Sequence, residues 1–242
     1  MTAATLLLVA VIVFAAAISH GIIGFGFGML CMAILPWFLD LTTAVPLVAV
    51  FGVITYGAVL WQERQHLDFP RCLPLVTGAL PGLLAGVAFL RSADERWLYL
   101  ALGLAIVSYV GWALYGRREQ REPRASVGIL AGALSGALAG AFNIGAPPII
   151  IYLASAPWPP GSIRATLQVQ LFFSGTIQLV LFWFSGLLKP QTLVVNLMLL
   201  PAVLLGGVIG SQISRLIDPE RYRRLLLGAL FILGAGFLAR AF

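Results

Sequence analysis

Eight apolar stretches divide the chain, and they limit its fold more than any other feature of the sequence. They cover residues 3–39, 43–61, 73–90, 97–115, 125–157, 165–187, 191–213 and 225–242. A helix that crosses a bilayer needs about 20 apolar residues. With 60% hydrophobic and only 10% charged residues, the chain is predicted to be an all-α polytopic membrane protein. This composition excludes a disordered chain and a water-soluble core.

The first and fifth stretches differ from the other six in length. Residues 3–39 and 125–157 are too long for one ordinary span, and both contain glycine or proline inside the apolar run. Irregular backbone is tolerated within a membrane only where protein or a cavity surrounds it. Each of these two stretches is therefore predicted to be broken or re-entrant.

The two long stretches also relate the two halves of the chain. Gly26 aligns with Gly145 at a separation of 119, and Glu95 aligns with Glu220 at a separation of 125. The second register pairs Gly82 with Gly207. We interpret residues 1–120 and 121–242 as two repeats of one transmembrane domain; the alternative is a chance match of two glycine- and leucine-rich sequences.

Basic residues give the chain a net charge of +6, and their distribution among the loops indicates the orientation of the spans. If each long stretch folds back as a hairpin, most of the basic residues lie on one side of the membrane. Cytoplasmic loops carry such an excess of Lys and Arg. That side would hold Arg64, Arg71, Arg117, Arg118, Arg121, Arg124, Arg164, Arg215, Arg221, Arg223 and Arg224, and the other Arg91, Arg96, Lys189 and Arg240. Each half would then cross an odd number of times, which makes the repeats inverted. Because the basic residues lie in short loops, nucleic acid is not an expected partner.

Acidic residues are confined to loops and their borders, and none falls inside an apolar stretch. They are Asp40, Glu63, Asp68, Asp94, Glu95, Glu119, Glu122, Asp218 and Glu220. Proton pumps and cation carriers usually keep a carboxylate within the membrane. The distribution favours an anionic substrate, although a neutral solute or a purely structural role also fits it.

Glycine, asparagine and proline at the two interruptions are the candidate binding residues. A helix that begins inside the membrane presents unpaired N–H groups and a partial positive charge, which favour an anion. Glycine permits close approach of a ligand, and proline fits the first turn of a helix. The candidates are Gly24, Gly26, Gly28, Asn143, Gly145, Pro147 and Pro148. The alternative is helix packing, which we expect instead for the glycine runs at 82–86 and 132–140.

Four side chains complete the candidate site. His20 fits either a substrate or proton role or a neutral imidazole bonded to a carbonyl. Arg164 fits a cation that attracts substrate or one that extends to the membrane interface. Gln170 and Ser174 share one helical face with Gln178, and this face fits a polar pathway or helix–helix bonding.

These motifs resemble the sulfite exporter TauE/SafE family of bacterial membrane proteins over essentially the whole chain. The first motif is Gly21, Gly24, Gly26 and Gly28 followed by Pro36, and the second is Ser135, Gly136, Gly140, Asn143, Gly145, Pro147 and Pro148. Phe27 and Ala146 stand where the family commonly has glycine. The resemblance implies movement of sulfite, sulfoacetate or a related organosulfonate across the inner membrane.

Together these features predict a secondary transporter of a small anion that works by alternating access, with an anion channel as the alternative. Neither a nucleotide-binding loop, a metal cluster nor a catalytic motif is visible in the sequence, so we expect no cofactor, no metal and no enzymatic activity. The expected partners are the anion and the lipid bilayer. The coupling ion (proton, sodium or none), the direction of transport and homo-oligomer formation stay open.

The orientation hypothesis predicts that Gln120→Cys and Pro219→Cys react with a membrane-impermeant maleimide from the same side of the membrane. Labelling in spheroplasts and in inside-out vesicles gives the measurement. If the two positions react from opposite sides, the hairpin topology is wrong.

Overall fold

The chain folds entirely into helices in the part that the structure, a computed structural model, describes. The described residues are 3–116, 122, 124–214, 216 and 218–241. The α-helices are α1 (Ala3–Ile23), α2 (Phe27–Ile34), α3 (Leu41–Glu63), α4 (Phe69–Ser92), α5 (Glu95–Tyr115), α6 (Ala125–Phe142), α7 (Ala146–Leu153), α8 (Pro160–Phe184), α9 (Pro190–Ile213) and α10 (Pro219–Arg240). Among the described residues, eight helices are long and apolar enough to span a membrane, which confirms the polytopic fold.

Both long apolar stretches are broken, as predicted. The first consists of α1 and the eight-residue α2, separated by residues 24–26. The fifth consists of α6 and the eight-residue α7, separated by residues 143–145. The ends of the long helices differ by 142 − 23 = 119, and the starts of the short helices by 146 − 27 = 119. The breaks therefore lie at the spacing at which Gly26 aligns with Gly145.

Two compact units make up the described chain, and each draws on both halves of the sequence. Unit 1 contains residues 1–48, 92–116 and 189–242, and unit 2 contains residues 49–91 and 117–188. The repeat boundary at 120/121, the inverted relation of the halves and the side of each basic cluster stay predictions. Arg117, Arg118, Arg121 and Arg215 lie outside the described residues.

In unit 1, α1 packs closely against α9 because glycines remove the side chains between them. A Cβ built on Gly206 would lie 2.6 Å from the carbonyl oxygen of Phe14. A Cβ on Gly210 would overlap the carbonyl oxygen of Ile18. Such contact of backbone with backbone maximises dispersion attraction where lipid provides no hydrophobic driving force.

In unit 2, α4 and α6 also pack closely through glycines. A Cβ on Gly82 would overlap the carbonyl oxygen of Ala133, and one on Gly86 would overlap that of Ala137. From α6, Cβ atoms at Gly132 and Gly136 would overlap carbonyl oxygens of α4. The packing role predicted for the glycine runs at 82–86 and 132–140 is confirmed.

The glycine contacts of the two units correspond, and they correct one residue pairing. Phe14 and Ala133 differ by 133 − 14 = 119, and they meet Gly206 and Gly82 respectively. Gly206 is therefore the counterpart of Gly82. The predicted partner Gly207 is wrong by one residue, since nothing lies within 4 Å of a Cβ built there.

This correction predicts opposite effects for two neighbouring glycines of α9. Gly206→Ala places a methyl group 2.6 Å from the Phe14 carbonyl oxygen and 2.9 Å from Cβ of Ala17. We expect a destabilisation of about 1 to 3 kcal/mol, the usual cost of overpacking. Gly207→Ala, the matched control, meets no atom and should leave stability unchanged or raise it. Thermal unfolding of both variants in detergent measures the difference, and equal melting temperatures would contradict the assignment.

Candidate functional site

The first break, residues 24–26 in unit 1, depends on two glycines with left-handed backbone. Gly24 has φ +85° and Gly26 has φ +97°, values that cost an L-residue with a side chain about 1 to 2 kcal/mol. The N–H of Gly24 donates to the carbonyl oxygen of His20 at 2.7 Å, which closes the last turn of α1. Gly26 then caps α2, and its carbonyl accepts the N–H of Leu30 at 2.9 Å.

The start of α2 is rich in N–H donors. Gly28 and Met29 precede the first N–H that bonds inside α2, at Leu30, so their N–H groups have no carbonyl partner within this helix. The helix dipole adds partial positive charge at this end. Nothing in the described chain lies within 4 Å of a Cβ built on Gly24 or Gly26. Apart from the adjacent residues of the chain, the Cβ side of these two glycines is therefore open, whereas Phe27, Gly28 and Met29 are buried.

Ser19 and His20 precede the first break and are buried. The hydroxyl of Ser19 is hydrogen-bonded to the hydroxyl of Tyr222, which joins the end of α1 to α10 within unit 1. His20 is 3% exposed, so its imidazole belongs to the interior rather than to the lipid surface. Its carbonyl forms the bond to Gly24 described above.

The second break, residues 143–145 in unit 2, ends α6 in a different way. Asn143 has φ +60°, the left-handed conformation that asparagine tolerates better than most residues. Its N–H donates to the carbonyl oxygen of Ala139 at 2.8 Å, and the N–H of Ile144 donates to that of Leu138 at 3.2 Å. The bond from Asn143 is that of the αL motif, which satisfies a carbonyl at a helix end.

α7 begins at Ala146 and contains Pro147 and Pro148 in its first turn, as predicted. Proline fits this position because a helix cannot use its first N–H groups internally. Because proline has no N–H, the first turn of α7 lacks two of the N–H donors that the first turn of α2 has. The two breaks therefore share their spacing but differ in the number of N–H groups they offer.

Side chains from α6 and α8 surround the second break. Gln178 Nε2 donates to the carbonyl oxygen of Ala139 at 2.6 Å, and the Ser135 hydroxyl donates to the carbonyl oxygen of Gly145 at 2.7 Å. Gln170 Nε2 donates to the Ser174 hydroxyl oxygen at 3.0 Å on the same helix. Ser135, Gln170, Ser174 and Gln178 are each at most 1% exposed. The structure thus brings Gln170 and Ser174 together as one buried polar pair.

Arg164 lies away from these buried groups. Its side chain is 65% exposed, and its guanidinium lies 3.7 Å from the Glu63 carboxylate. Among the carboxylates whose side chains are described, none is buried. No three His, Cys, Asp or Glu side chains within the described residues are grouped so as to hold a metal ion.

Two buried hydrogen-bonding side chains gain importance only from the structure. The sequence places Gln178 on the face of Gln170 and Ser174 and places Ser135 in the second motif, but neither is among the predicted site residues. Both act on backbone carbonyls, and a carbonyl partner leaves no mark in the sequence. Tyr222 lies 203 residues from its partner Ser19, so no local pattern could reveal it.

Taken together, the fold and the breaks define a class of protein. Discontinuous membrane helices that expose their ends are characteristic of membrane transporters. The sequence model of the Sulfite exporter TauE/SafE family matches residues 8–237, and the chain belongs to this family of multi-pass membrane transporters. The "Probable sulfite/organosulfonate exporter TauE" of Cupriavidus necator is 25% identical over 226 residues, which cover 90% of this chain and 88% of that protein. No solved structure gives a significant match to the chain.

The left-handed backbone at Asn143 predicts that glycine is tolerated there better than alanine. Asn143→Gly keeps φ +60° accessible and should preserve the melting temperature. Asn143→Ala should cost about 1 to 2 kcal/mol, because its Cβ opposes this conformation. Thermal unfolding in detergent compares the two variants; a less stable glycine variant would mean that the asparagine side chain itself carries the stability.

Proposed function

We propose that the protein is a secondary transporter that moves a small anion, sulfite or an organosulfonate, across the bacterial inner membrane by alternating access. The observation that carries the proposal is the pair of breaks at a constant spacing of 119, each followed by an eight-residue helix that begins beside a glycine. Helix starts of this kind favour anions. The name of the relative from Cupriavidus necator supports the choice of anion.

In this proposal the backbone at each break, taken by itself, offers contacts to the anion. Gly24, Gly26 and Gly28 supply the first group of contacts. Asn143, Gly145, Pro147 and Pro148 form the second, with Ala146 as its remaining first-turn donor. Two observations support the assignment: the space on the Cβ side of Gly24 and Gly26, and the N–H groups of Gly28 and Met29, which precede the first bond inside α2.

The side chains have secondary roles in the proposal. Gln170 and Ser174 are a buried pair that hydrogen-bonds the anion or its water along α8. His20 contributes a polar ring one turn before the first break. Arg164, being exposed, attracts anions from solution rather than binding them at the breaks.

A carrier requires a conformational change for each turnover, so its flux saturates with substrate and shows counterflow. In proteoliposomes we expect the wild-type protein to exchange internal sulfite for labelled external sulfite. Gly145→Leu and Asn143→Ala should reduce this exchange to background while the protein still inserts. Gly145→Leu acts by volume, since a Cβ there already lies 3.1 Å from Cβ of Ala139.

A channel is the alternative, and the same vesicles distinguish it. A channel would give flux that does not saturate, no counterflow, and rates far above those of a conformational cycle. Normal exchange by both variants would remove these residues from the site. Taurine and sulfoacetate, tested as competitors, then rank the organosulfonates against sulfite.

A further inference from the structure

A short buried side-chain hydrogen bond at the second break is made by a residue that the proposed function does not use. Gln178 is 1% exposed, and its Nε2 donates to the carbonyl oxygen of Ala139 at 2.6 Å. The same carbonyl accepts the N–H of Asn143 at 2.8 Å. One oxygen therefore holds both the residue that ends α6 and a side chain from α8. This arrangement fixes the point at which the chain leaves α6.

Ser135 holds the other side of the break. Its hydroxyl donates to the carbonyl oxygen of Gly145, the residue that caps α7, at 2.7 Å. A Cβ built on Gly145 would lie 3.2 Å from the Ser135 oxygen, so the two residues are closely packed. Ala139 and Gly145 are thus both anchored, one before the break and one after it.

The first break has no equivalent of the serine contact. At the spacing of 119, Gly145 corresponds to Gly26 and Ser135 corresponds to Ala16, which has no hydroxyl to donate. The space around Gly24 and Gly26 is open, whereas Gly145 is packed against Ala139 and Ser135. The two breaks correspond in their position along the backbone. The hydrogen bond from a serine to the capping glycine is a feature of the second break.

The other end of the Gln178 amide points to a ligand or water. Its Oε1 is buried and has no hydrogen-bond partner among the described residues. A buried amide oxygen of this kind usually bonds to ordered water or to a bound molecule. The Gln178 amide therefore bonds to the backbone through Nε2, while its Oε1 is an acceptor beside the break.

We infer that Gln178 and Ser135 are positioning residues that hold the backbone of the second break in the geometry that binds the transported anion. The inference rests on the proposed function. Hydrogen-bond donors help binding most when their positions are fixed in advance, and a misplacement of about 1 Å can cost a hundredfold in rate. Loss of either contact should therefore weaken anion binding more than it weakens the fold.

Transport kinetics of four variants test the inference. Gln178→Met keeps the volume and removes the amide, while Gln178→Asn keeps the amide but is too short to reach Ala139. Ser135→Ala removes the hydroxyl, whereas Ser135→Thr keeps a hydroxyl at this position. Thr176→Val is the matched control, because Thr176 is exposed on the same helix and bonds only to the carbonyl of Phe172 within α8.

Sulfite counterflow in proteoliposomes, corrected for the amount of folded protein, gives KM and maximal rate for each variant. We expect KM to rise at least about tenfold in Gln178→Met, Gln178→Asn and Ser135→Ala. Ser135→Thr and Thr176→Val should keep the wild-type KM. Wild-type KM in the first three, with only the yield or melting temperature lowered, would make both residues merely structural and overturn the inference.

Hydrogen–deuterium exchange of the wild-type protein provides a test that needs no variant. Amides at residues 139–149 should exchange more slowly than those at residues 20–30, because Gln178 and Ser135 hold both sides of the second break, whereas Ala16, the counterpart of Ser135, has no hydroxyl to donate. Equal exchange in both segments would overturn the inference alone. A wild-type protein without saturable sulfite flux would overturn the proposed function and the inference together, so the two failures are distinguishable.

Discussion

Backbone N–H and C=O groups in a membrane cannot be satisfied by lipid, and both helix breaks of this protein are built around that requirement. At each break the carbonyls of the preceding helix are closed by a residue in the left-handed conformation, Gly24 or Asn143. The helix that follows each break begins with residues whose N–H groups, where they have one, precede the first hydrogen bond inside that helix. The helix carbonyls before each break are thus satisfied internally, and in the proposed function the helix start after each break faces the anion.

Close packing of the long helices supports the breaks. Glycines on α9 receive carbonyls of α1, and glycines on α4 receive those of α6, at positions that correspond between the two units. Both helices that end at the breaks are therefore held by close backbone contact with a neighbour. Their ends are fixed by neighbours that leave no room for a side chain, so each break starts from a rigid support.

The sequence predicted what depends on local signals and missed what depends on tertiary contacts. Apolar length gave the eight spans, and glycine and proline inside two overlong stretches gave the breaks and the proline turn of α7. The register set by Glu95 and Glu220 pairs Gly82 with Gly207, and only the carbonyl of Phe14 identifies Gly206 as the counterpart. The roles of Gln178 and Ser135 depend on which backbone oxygen each side chain reaches, and residue identity carries no such information.

The pairing of α1 with α9 has a consequence for biosynthesis. α1 ends at Ile23 and α9 begins at Pro190, so the first helix leaves the ribosome long before its partner exists. α6, in contrast, follows α4 and can dock as soon as it is made. Unit 2 can therefore mature during translation, whereas the membrane insertion machinery must accommodate an undocked α1 until nearly the whole polypeptide has been synthesised.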